Sequence, residues 1–302
     1  KKVKSLKKGD FKTALKEAMD EEALRKKIAT IEEQEKLTIT TADILEIIEA
    51  KMHVWIQKDE EELFQTLHDE LHTKILGQEE ALSKIVESFQ INKEGNLSFL
   101  FVGGSGVGKT ESVKIISQVL KTEWIRIDMS EYNTPESIYK LIGSPPGYVG
   151  YKEPYIFQKI KEHPYATVLF DEIEKAHPKV LNLLLQILDE SFVTDSLGET
   201  IRFDHTYIFL TSNATPKENI GFSSTKKSSL DHYFSKEFLG RIDAVVHFKP
   251  ITKSVALEYI TKNLENKAIS PEDLLNESEI DKYGLRNLKN LIMKKNRQKI
   301  SL

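Results

Sequence analysis

The sequence contains no cysteine and no long apolar run. Without cysteine, its 302 residues can form neither a disulfide nor a thiolate metal site, which fits a reducing compartment. No run of about 18 apolar residues is present, so we expect no membrane-spanning helix. The 43 Lys and Arg and the 47 Asp and Glu leave a net charge of only −4, which argues against a general nucleic-acid binder. The hydrophobic content of 39% is still enough for a packed core.

Arginine is also scarce, at 6 of the 43 basic residues. The abundance of Lys, Ile and Asn indicates A/T-rich coding, as in a plastid-type organelle or an A/T-rich bacterium, although drift at a soluble surface would look similar. Where lysine is the default cation, each arginine is a candidate for a position that needs a rigid, permanent charge. The chain begins without Met and without an apolar signal core, so we predict a soluble piece of a longer cytoplasmic or organellar protein.

The pattern of apolar and charged residues divides the chain into three segments. Residues 1–37 are rich in Lys and Glu, with apolar residues at helical spacing, which predicts a helical hairpin or coiled coil, or an amphipathic helix packed on its parent protein. Residues 38–250 alternate helices with short apolar strands, which predicts an α/β domain with a parallel five-stranded sheet flanked by helices. Residues 251–302 show helical patterns and no strand, which predicts a small helical tail. The expected strands are Leu97–Val102, Trp124–Met129, Thr167–Phe170, Tyr207–Thr211 and Val245–Phe248.

A glycine-rich loop follows the first expected strand. It fits the pattern G-x-x-x-x-G-K-[ST] and consists of Gly103, Gly104, Ser105, Gly106, Val107, Gly108, Lys109 and Thr110. In such a loop the backbone N–H groups surround a polyphosphate, Lys109 reaches the β- and γ-phosphates, and the Thr110 hydroxyl ligates Mg²⁺. A helix expected over Glu111–Leu120 adds the positive end of its dipole. The loop therefore predicts a site for a nucleoside triphosphate and Mg²⁺.

Two further expected strands end in polar side chains. One ends at Asp171 and Glu172, and the next is followed by Asn213. Since neighbours on a strand point in opposite directions, we expect Asp171 to hold the Mg²⁺ shell through water and Glu172 to activate the attacking water beside it. Asn213 would reach the γ-phosphate or the water, although an ordinary asparagine in a turn gives the same pattern. The order of these residues after the phosphate loop favours a hydrolytic site.

Several stretches of the chain resemble the Clp unfoldases, which are AAA+ ATPases, and in particular the second, C-terminal ATPase module of the ClpC/ClpA-like branch. The resemblance covers roughly residues 38–291, and residues 1–37 resemble more weakly the end of the helical segment that joins the two rings. Gly240 stands where this family usually has Asn, and Leu285 where it usually has Ala. Besides the phosphate loop, the matching stretches are Lys74–Ala81, Arg126–Tyr132, Asp171–Pro178 and Phe238–Asp243.

The resemblance implies an ATP site that a neighbouring subunit completes. The backbone around Ile75 and Leu76 would line the adenine. Arg241 would be an arginine finger that reaches the γ-phosphate of a neighbour. The helical tail over residues 251–302 would be a small lid, and Arg286 would be its sensor arginine. A surface ion pair is the alternative for each arginine. Because a finger of this kind needs a neighbour, the resemblance implies a hexameric ring.

The loop Gly143–Tyr151 combines proline and glycine around two aromatic residues. Little regular hydrogen bonding is available to such a loop, so we expect it at the surface. By resemblance to the family's pore loop, Tyr148 would grip an unfolded polypeptide with Val149 beside it, because an aromatic ring can contact any side chain or backbone. The alternative is a turn whose tyrosine packs on its own domain. Pro154-Tyr155 stands where the family commonly has a Gly pair. This difference puts the mobility of the loop in doubt.

Two large apolar residues stand in a polar stretch, at Ile220-Gly221-Phe222. Clp unfoldases that dock on the ClpP peptidase carry a similar [ILV]-Gly-[FL] tripeptide in this region, so the resemblance implies a ClpP-type peptidase as partner. The alternative is that these side chains tuck onto the surface of their own domain.

The resemblance as a whole implies an ATP-dependent unfoldase that threads polypeptides through a ring pore and delivers them to a ClpP-type peptidase. The alternatives are a disaggregase without a peptidase and a non-motor ATP-binding ring subunit. A nucleic-acid motor would need a basic channel, whereas the expected pore loop is aromatic and nearly uncharged. The lid is short for the family, and a truncated chain and a naturally short one both fit.

Overall fold

The computed structural model describes residues 60–92, 97–151, 153–214, 230, 233–265 and 269–298, with isolated positions at 19, 21–23, 25–26 and 44. The chain divides into two units, Lys1–Ile48 and Glu49–Leu302. The first unit includes an exposed ion pair between Arg25 and Glu21 at 3.1 Å. Most of the predicted linker over residues 1–37 lies outside the described residues, as does all of Ile220-Gly221-Phe222.

Five parallel strands form the sheet of the second unit, in the order β2-β3-β6-β1-β7. Each predicted strand is present with its ends within one residue, which confirms the predicted fold class. A separate antiparallel hairpin of β4 and β5 was not predicted, because strands of three residues are too short to show a period. The strands are β1 (Ser98–Val102), β2 (Trp124–Asp128), β3 (Thr167–Asp171), β4 (Phe192–Thr194), β5 (Thr200–Arg202), β6 (Tyr207–Ser212) and β7 (Ala244–His247).

Helices connect these strands and follow the last of them. The four helices after residue 250 form the small helical segment expected there, while the boundaries of the three predicted segments stay predictions. In the described part of the chain, no helix is both long and apolar enough to cross a bilayer. The helices are α1 (Glu60–Lys74), α2 (Glu79–Ile91), α3 (Lys109–Leu120), α4 (Tyr139–Ile142), α5 (Gln158–Glu162), α6 (Pro178–Glu190), α7 (Lys236–Gly240), α8 (Lys253–Asn263), α9 (Pro271–Glu277), α10 (Ile280–Tyr283) and α11 (Leu285–Gln298).

Alternate side chains of β1 enter two hydrophobic cores. Phe99 and Phe101 pack with α1 to α3 and with the last four helices. Leu100 and Val102 pack on the other face, with α6 and the β4–β5 hairpin. All five residues of β1 are buried, as expected for a parallel strand that is covered on both faces. With both faces covered, the carboxyl edge of the sheet is where the loops can gather polar side chains.

Candidate nucleotide-binding site

A cavity of about 570 Å³ lies where β1, β3 and β6 end. This volume is in the range of small-molecule sites. The structure brings the phosphate loop, both acidic residues, the asparagine, the lid arginine and the expected adenine-binding pair around this one cavity. The predicted site residues that line it are Ile75, Leu76, Ser105, Gly106, Val107, Gly108, Lys109, Thr110, Asp171, Glu172, Asn213 and Arg286.

The phosphate loop turns through glycines with positive φ. Gly106 has a φ of 72° and Gly108 a φ of 110°, which residues with a Cβ rarely adopt. The Nζ of Lys109 donates to the carbonyl oxygens of Gly103 at 2.6 Å and Gly104 at 2.7 Å. Gly103 and Gly104 are not among the residues that line the cavity. The carbonyl groups of these two glycines therefore hold the side chain of Lys109, which does line the cavity. Helix α3 begins at Lys109, two residues before the start predicted for it.

Lys109 is a nearly buried cation, with 7% of its surface exposed. Burial lowers the pKa of Lys109 to about 8, although the nearby carboxylates of Glu174, Asp171 and Glu172 favour its charged form. The same Nζ donates to Oδ1 of Asn213 at 2.9 Å, which ties the loop to the end of β6. The oxygens of a phosphate group at this position would replace the water that the Lys109 ammonium has lost on burial. The site is therefore suited to an anion.

Asp171 is held by donors from both neighbouring strands. Arg126 in β2 donates its Nε at 3.0 Å and its Nη2 at 2.7 Å to Oδ2. The Thr211 hydroxyl in β6 donates to Oδ1. The Thr110 hydroxyl lies 3.4 Å from both carboxylate oxygens. Since Asp171 is 5% exposed, these contacts fix its carboxylate beside the Thr110 hydroxyl.

Glu172 leaves the strand in a left-handed backbone conformation, with φ 58° and ψ 52°. The expectation that the strand pleat directs its side chain is therefore wrong, and a turn places it in the cavity instead. Its N–H donates to Oγ1 of Thr211 at 2.9 Å. Its Oε1 accepts from Nδ2 of Asn213 at 3.1 Å, and its Oε2 accepts from Nζ of Lys175. Each carboxylate oxygen has one donor and can accept a second hydrogen bond, so Glu172 retains acceptor capacity for a water in the cavity.

The lid contacts the phosphate loop through backbone atoms. The N–H of Leu285 donates to the carbonyl oxygen of Gly106 at 3.0 Å. Gly284 has φ 56° and ψ −147°, and a Cβ there would lie 2.6 Å from the carbonyl oxygen of Ser105. A glycine is needed at this position because the two backbones approach too closely for a side chain. This contact places Arg286 at the cavity wall.

Arg241 lies outside the cavity lining. Its Nη1 pairs with Oδ1 of Asp189, near the end of α6, at 2.9 Å, and both side chains are about half exposed. Within its own chain Arg241 is therefore an exposed ion-pair partner. This position is compatible with both predictions, a finger that serves a neighbouring site and a surface ion pair.

The tip of the loop Gly143–Tyr151 is exposed, as predicted. Tyr148 is 62% exposed and Val149 is 98% exposed. The ring of Tyr148 lies 5.9 Å from that of Tyr139, on the helix before the loop. Tyr148 thus contacts its own domain along one side and remains available to a partner on the other.

Several side chains of the site have no counterpart in the sequence prediction. The roles of Arg126 and Thr211 were missed because both stand inside strands, where periodicity reports burial and not contacts. Two signals could have pointed to Arg126, namely the scarcity of arginine and its place in the family-like stretch Arg126–Tyr132. A further set lines the cavity from α8 and α11, without any motif: Tyr259, Lys262, Asn263 and Lys289.

A strand, a glycine-rich loop and a helix, with a carboxylate at the end of a neighbouring strand, define a phosphate-loop nucleotide-binding domain. A family model described as AAA domain (Cdc48 subfamily) matches residues 94–245, which is half of the chain. The chain belongs to this family, the AAA+ ATPases, and is a module of the Clp type.

The similar proteins confirm the predicted Clp-type family. The chain is 37% identical to the ATP-dependent Clp protease ATP-binding subunit ClpE of Bacillus subtilis, a match that covers 86% of this chain and 41% of that protein. It is 38% identical to Chaperone protein ClpB 2 of a Nostoc species, covering 85% of this chain and 34% of that protein. A closed-state structure of Hsp104 with ATPγS and FITC casein matches with a TM-score of 0.68 and 27% identity, covering 82% of this chain and 48% of that one. The chain thus spans less than half the length of these relatives.

Proposed function

We propose that this chain binds ATP with Mg²⁺, hydrolyses it within a hexameric ring, and uses the cycle to unfold and thread polypeptides. One observation carries the proposal: a single cavity is lined by Lys109, Asp171, Glu172, Asn213 and Arg286. These are the groups that phosphoryl transfer to water requires from one subunit, namely cations for the phosphates, a carboxylate for the metal and a base for the water.

The cavity orients a nucleotide along its length. The phosphates belong at the N–H groups of the loop and at Lys109, where the N-terminus of the 12-residue helix α3 adds its dipole. The adenine would lie against Ile75 and Leu76, which line the same cavity together with Tyr259 of α8. This order directs the γ-phosphate toward Glu172 and Asn213.

The Thr110 hydroxyl and the Asp171 carboxylate fit Mg²⁺, which prefers oxygen ligands. No group of three or more His, Asp or Glu residues that could hold a metal occurs among the described residues, so Mg²⁺ at this site would complete its shell with phosphate and water oxygens. When bound, the ion would neutralise charge on the β- and γ-phosphate oxygens.

Glu172 is the candidate base for the attacking water. Asn213 donates to one of its oxygens and the Lys175 ammonium to the other, and each oxygen can still accept a hydrogen bond from water. Arg241 is half exposed and is not among the residues that line the chain's own cavity, which supports a role at a neighbouring site. A planar guanidinium in that place would stabilise charge that develops on the γ-phosphate.

The test of hydrolysis replaces Glu172 by glutamine. Glu172→Gln should still bind a fluorescent ATP analogue but lose at least about 100-fold in turnover, the range of general-base catalysis. Glu87→Gln is the matched control, because Glu87 is exposed on α2 and does not line the cavity. Turnover by Glu172→Gln at the level of this control would reject the assignment.

The grip on polypeptide is proposed for Tyr148 and Val149, because their exposed side chains form the tip of a surface loop. Tyr148→Ala should hydrolyse ATP at the parental rate in the assembled protein, yet fail to unfold a tagged fluorescent protein. Tyr233→Ala removes a comparably exposed ring, at 51% exposure, and is the control. Equal unfolding by the two variants would reject the pore-loop role.

Delivery to a ClpP-type peptidase is the finer part of the proposal and rests on Ile220-Gly221-Phe222. Similarity to a protein named as a Clp protease subunit supports it, whereas similarity to proteins named ClpB supports a disaggregase. Co-purification with a ClpP-type peptidase under ATP, scored for binding and degradation, separates the two. Deletion of the tripeptide should abolish capture, and capture that persists without it would reject the docking role.

A further inference from the structure

The β4–β5 hairpin contains a carboxylate that is completely buried. Asp195 has a side-chain exposure of 0%. Its Oδ1 accepts the N–H groups of Leu197 and Glu199, both at 2.9 Å. Its Oδ2 accepts the hydroxyl of Tyr155 and, at 3.3 Å, the ammonium of Lys161. Since a buried charge is tolerated only with partners, these contacts must stay together, and they bind the hairpin to residues outside it.

Tyr155 comes from the C-terminal stem of the loop that carries Tyr148. The stem is closed by the N–H of Ile156, which donates to the carbonyl oxygen of Lys140 at 3.0 Å. A Cβ on Gly143, at the opposite end of the loop, would lie 3.1 Å from Cδ1 of Tyr155. The ring of Tyr155 therefore packs between the two ends of the loop, while its hydroxyl is bonded to the hairpin.

The same stem packs against the end of β3. Phe157 lies edge-on to Phe170 at a centroid distance of 6.4 Å and to Phe203 at 5.2 Å. All three rings are fully buried. Phe170 directly precedes Asp171, and Phe203 follows β5 at the foot of the hairpin. A rigid aromatic contact thus joins the loop stem to the strand that ends in the nucleotide site.

The position of the hairpin in the chain adds a second connection. The hairpin joins α6, which follows Glu172, to β6, which precedes Asn213. The N–H of Ser196 in its turn donates to the carbonyl oxygen of Ile142, at the N-terminal end of the loop, at 2.9 Å. A displacement of Glu172 or Asn213 would therefore be transmitted along the chain to the hairpin.

We propose that Tyr155 is a positioning residue that couples the loop Gly143–Tyr151 to the nucleotide site. Its hydrogen bond to Asp195 holds the loop stem on the hairpin, so that the exposed tip at Tyr148 follows movements of β3 and the hairpin and does not swing independently. The inference deepens the proposed polypeptide-threading function and rests on it. The Pro154-Tyr155 pair therefore holds the C-terminal end of this loop in place, whereas the sequence alone left the mobility of the loop open.

The test removes one oxygen atom with Tyr155→Phe, which keeps the ring against Gly143. Nucleotide affinity and basal ATP turnover of the assembled protein should stay within about twofold of the parent. Stimulation of turnover by an unfolded polypeptide, and molecules unfolded per ATP, should fall about tenfold, the range expected for loss of a hydrogen bond to a charged group. If Tyr155 had a purely structural role, its replacement would lower basal ATP turnover together with the stimulation by polypeptide.

Tyr165→Phe is the matched control, because it loses the same atom. The ring of Tyr165 stacks on His205 at 4.8 Å, next to the amino end of β3 and away from the loop. Tyr165→Phe should retain parental coupling. If Tyr155→Phe retains parental coupling as well, the proposal is wrong.

Hydrogen exchange supplies a readout that is independent of polypeptide handling. The amides of residues 144–151 should exchange about tenfold faster in Tyr155→Phe than in Tyr165→Phe, since a lost restraint raises local opening. Unchanged exchange would overturn the anchoring role. A parental protein that hydrolyses ATP but unfolds no tagged polypeptide would reject the threading function itself, so the two failures are distinguishable.

Discussion

Replacement of Gly284 by alanine should separate the lid from the phosphate loop. A Cβ on Gly284 would lie 2.6 Å from the carbonyl oxygen of Ser105 and 2.8 Å from that of Gly106. Both contacts are with backbone atoms, so no side-chain rotation can relieve them. Alanine also disfavours the native φ of 56° and ψ of −147°. The start of α11 must therefore withdraw, and the hydrogen bond from Leu285 to Gly106 must break.

The expected magnitude follows from these contacts. An alanine forced into the native backbone conformation would cost about 1–3 kcal/mol, and the lost hydrogen bond about 1 kcal/mol. Withdrawal also moves Arg286 away from the phosphates, and a charge-assisted hydrogen bond is worth about 1.5–3 kcal/mol. ATP affinity or turnover should thus fall by about 10- to 150-fold. Global stability should change less, because Leu288 and Ile292 remain to anchor α11 in the core.

Titration with a fluorescent ATP analogue and steady-state turnover would measure the effect. Gly240→Ala is the control, because an added Cβ there meets no atom within 4 Å. The double variant of Gly284→Ala and Arg286→Ala should lose no more than Arg286→Ala alone, since the glycine change acts through the arginine. A folded Gly284→Ala protein with parental affinity and turnover would refute the idea that the lid must touch the loop.

Three further changes probe the same module. Ser191 ends α6 with a φ of 56°, so Ser191→Gly should relieve about 1 kcal/mol of left-handed strain and raise the Tm by about 2–4 °C. A lower Tm in calorimetry would contradict this. Because burial lowers the pKa of Lys109 to about 8 and a triphosphate should restore its charge, ATP binding at pH 8 should take up about half a proton. Titration calorimetry in buffers of different ionisation enthalpy measures this uptake, and Lys109→Met should abolish it. Lys175→Met frees one oxygen of Glu172 and should raise turnover by up to about fivefold at unchanged ATP affinity. Slower turnover would show that Lys175 orients the carboxylate.

The parts of the fold that follow local rules could be predicted from the sequence. The three central strands, β1, β3 and β6, are buried along nearly their whole length, so each appears as a mainly apolar run. The edge strands β2 and β7 bury alternate residues. The phosphate loop depends on glycines at fixed spacing within one short stretch, so its pattern is also visible locally in the sequence. Asp171 and Asn213 could be placed because each follows directly from the end of a strand.

Contacts that depend on strand order could not be predicted in the same way. Arg126 and Thr211 meet at Asp171 only because β3 lies between β2 and β6, and no local pattern encodes that order. The contact of Gly284 with the phosphate loop joins residues about 180 positions apart, and the Tyr155–Asp195 bond spans 40 positions. In each case the sequence shows a plausible residue, and only the assembled sheet shows its partner.

The central position of β3 connects the two proposed activities. Successive residues of a strand point to opposite faces, so Asp171 faces Thr110 of the nucleotide cavity while Phe170 faces Phe157 of the loop stem. Phe170 and Phe157 are fully buried and Asp171 is 5% exposed, and close-packed side chains cannot move independently of their neighbours. A displacement of the end of β3 by events at the phosphates must therefore reach the loop stem through Phe157. While the Tyr155–Asp195 hydrogen bond is intact, we expect the exposed tip of the loop to follow that movement. Without this hydrogen bond, we expect the tip to move independently of β3.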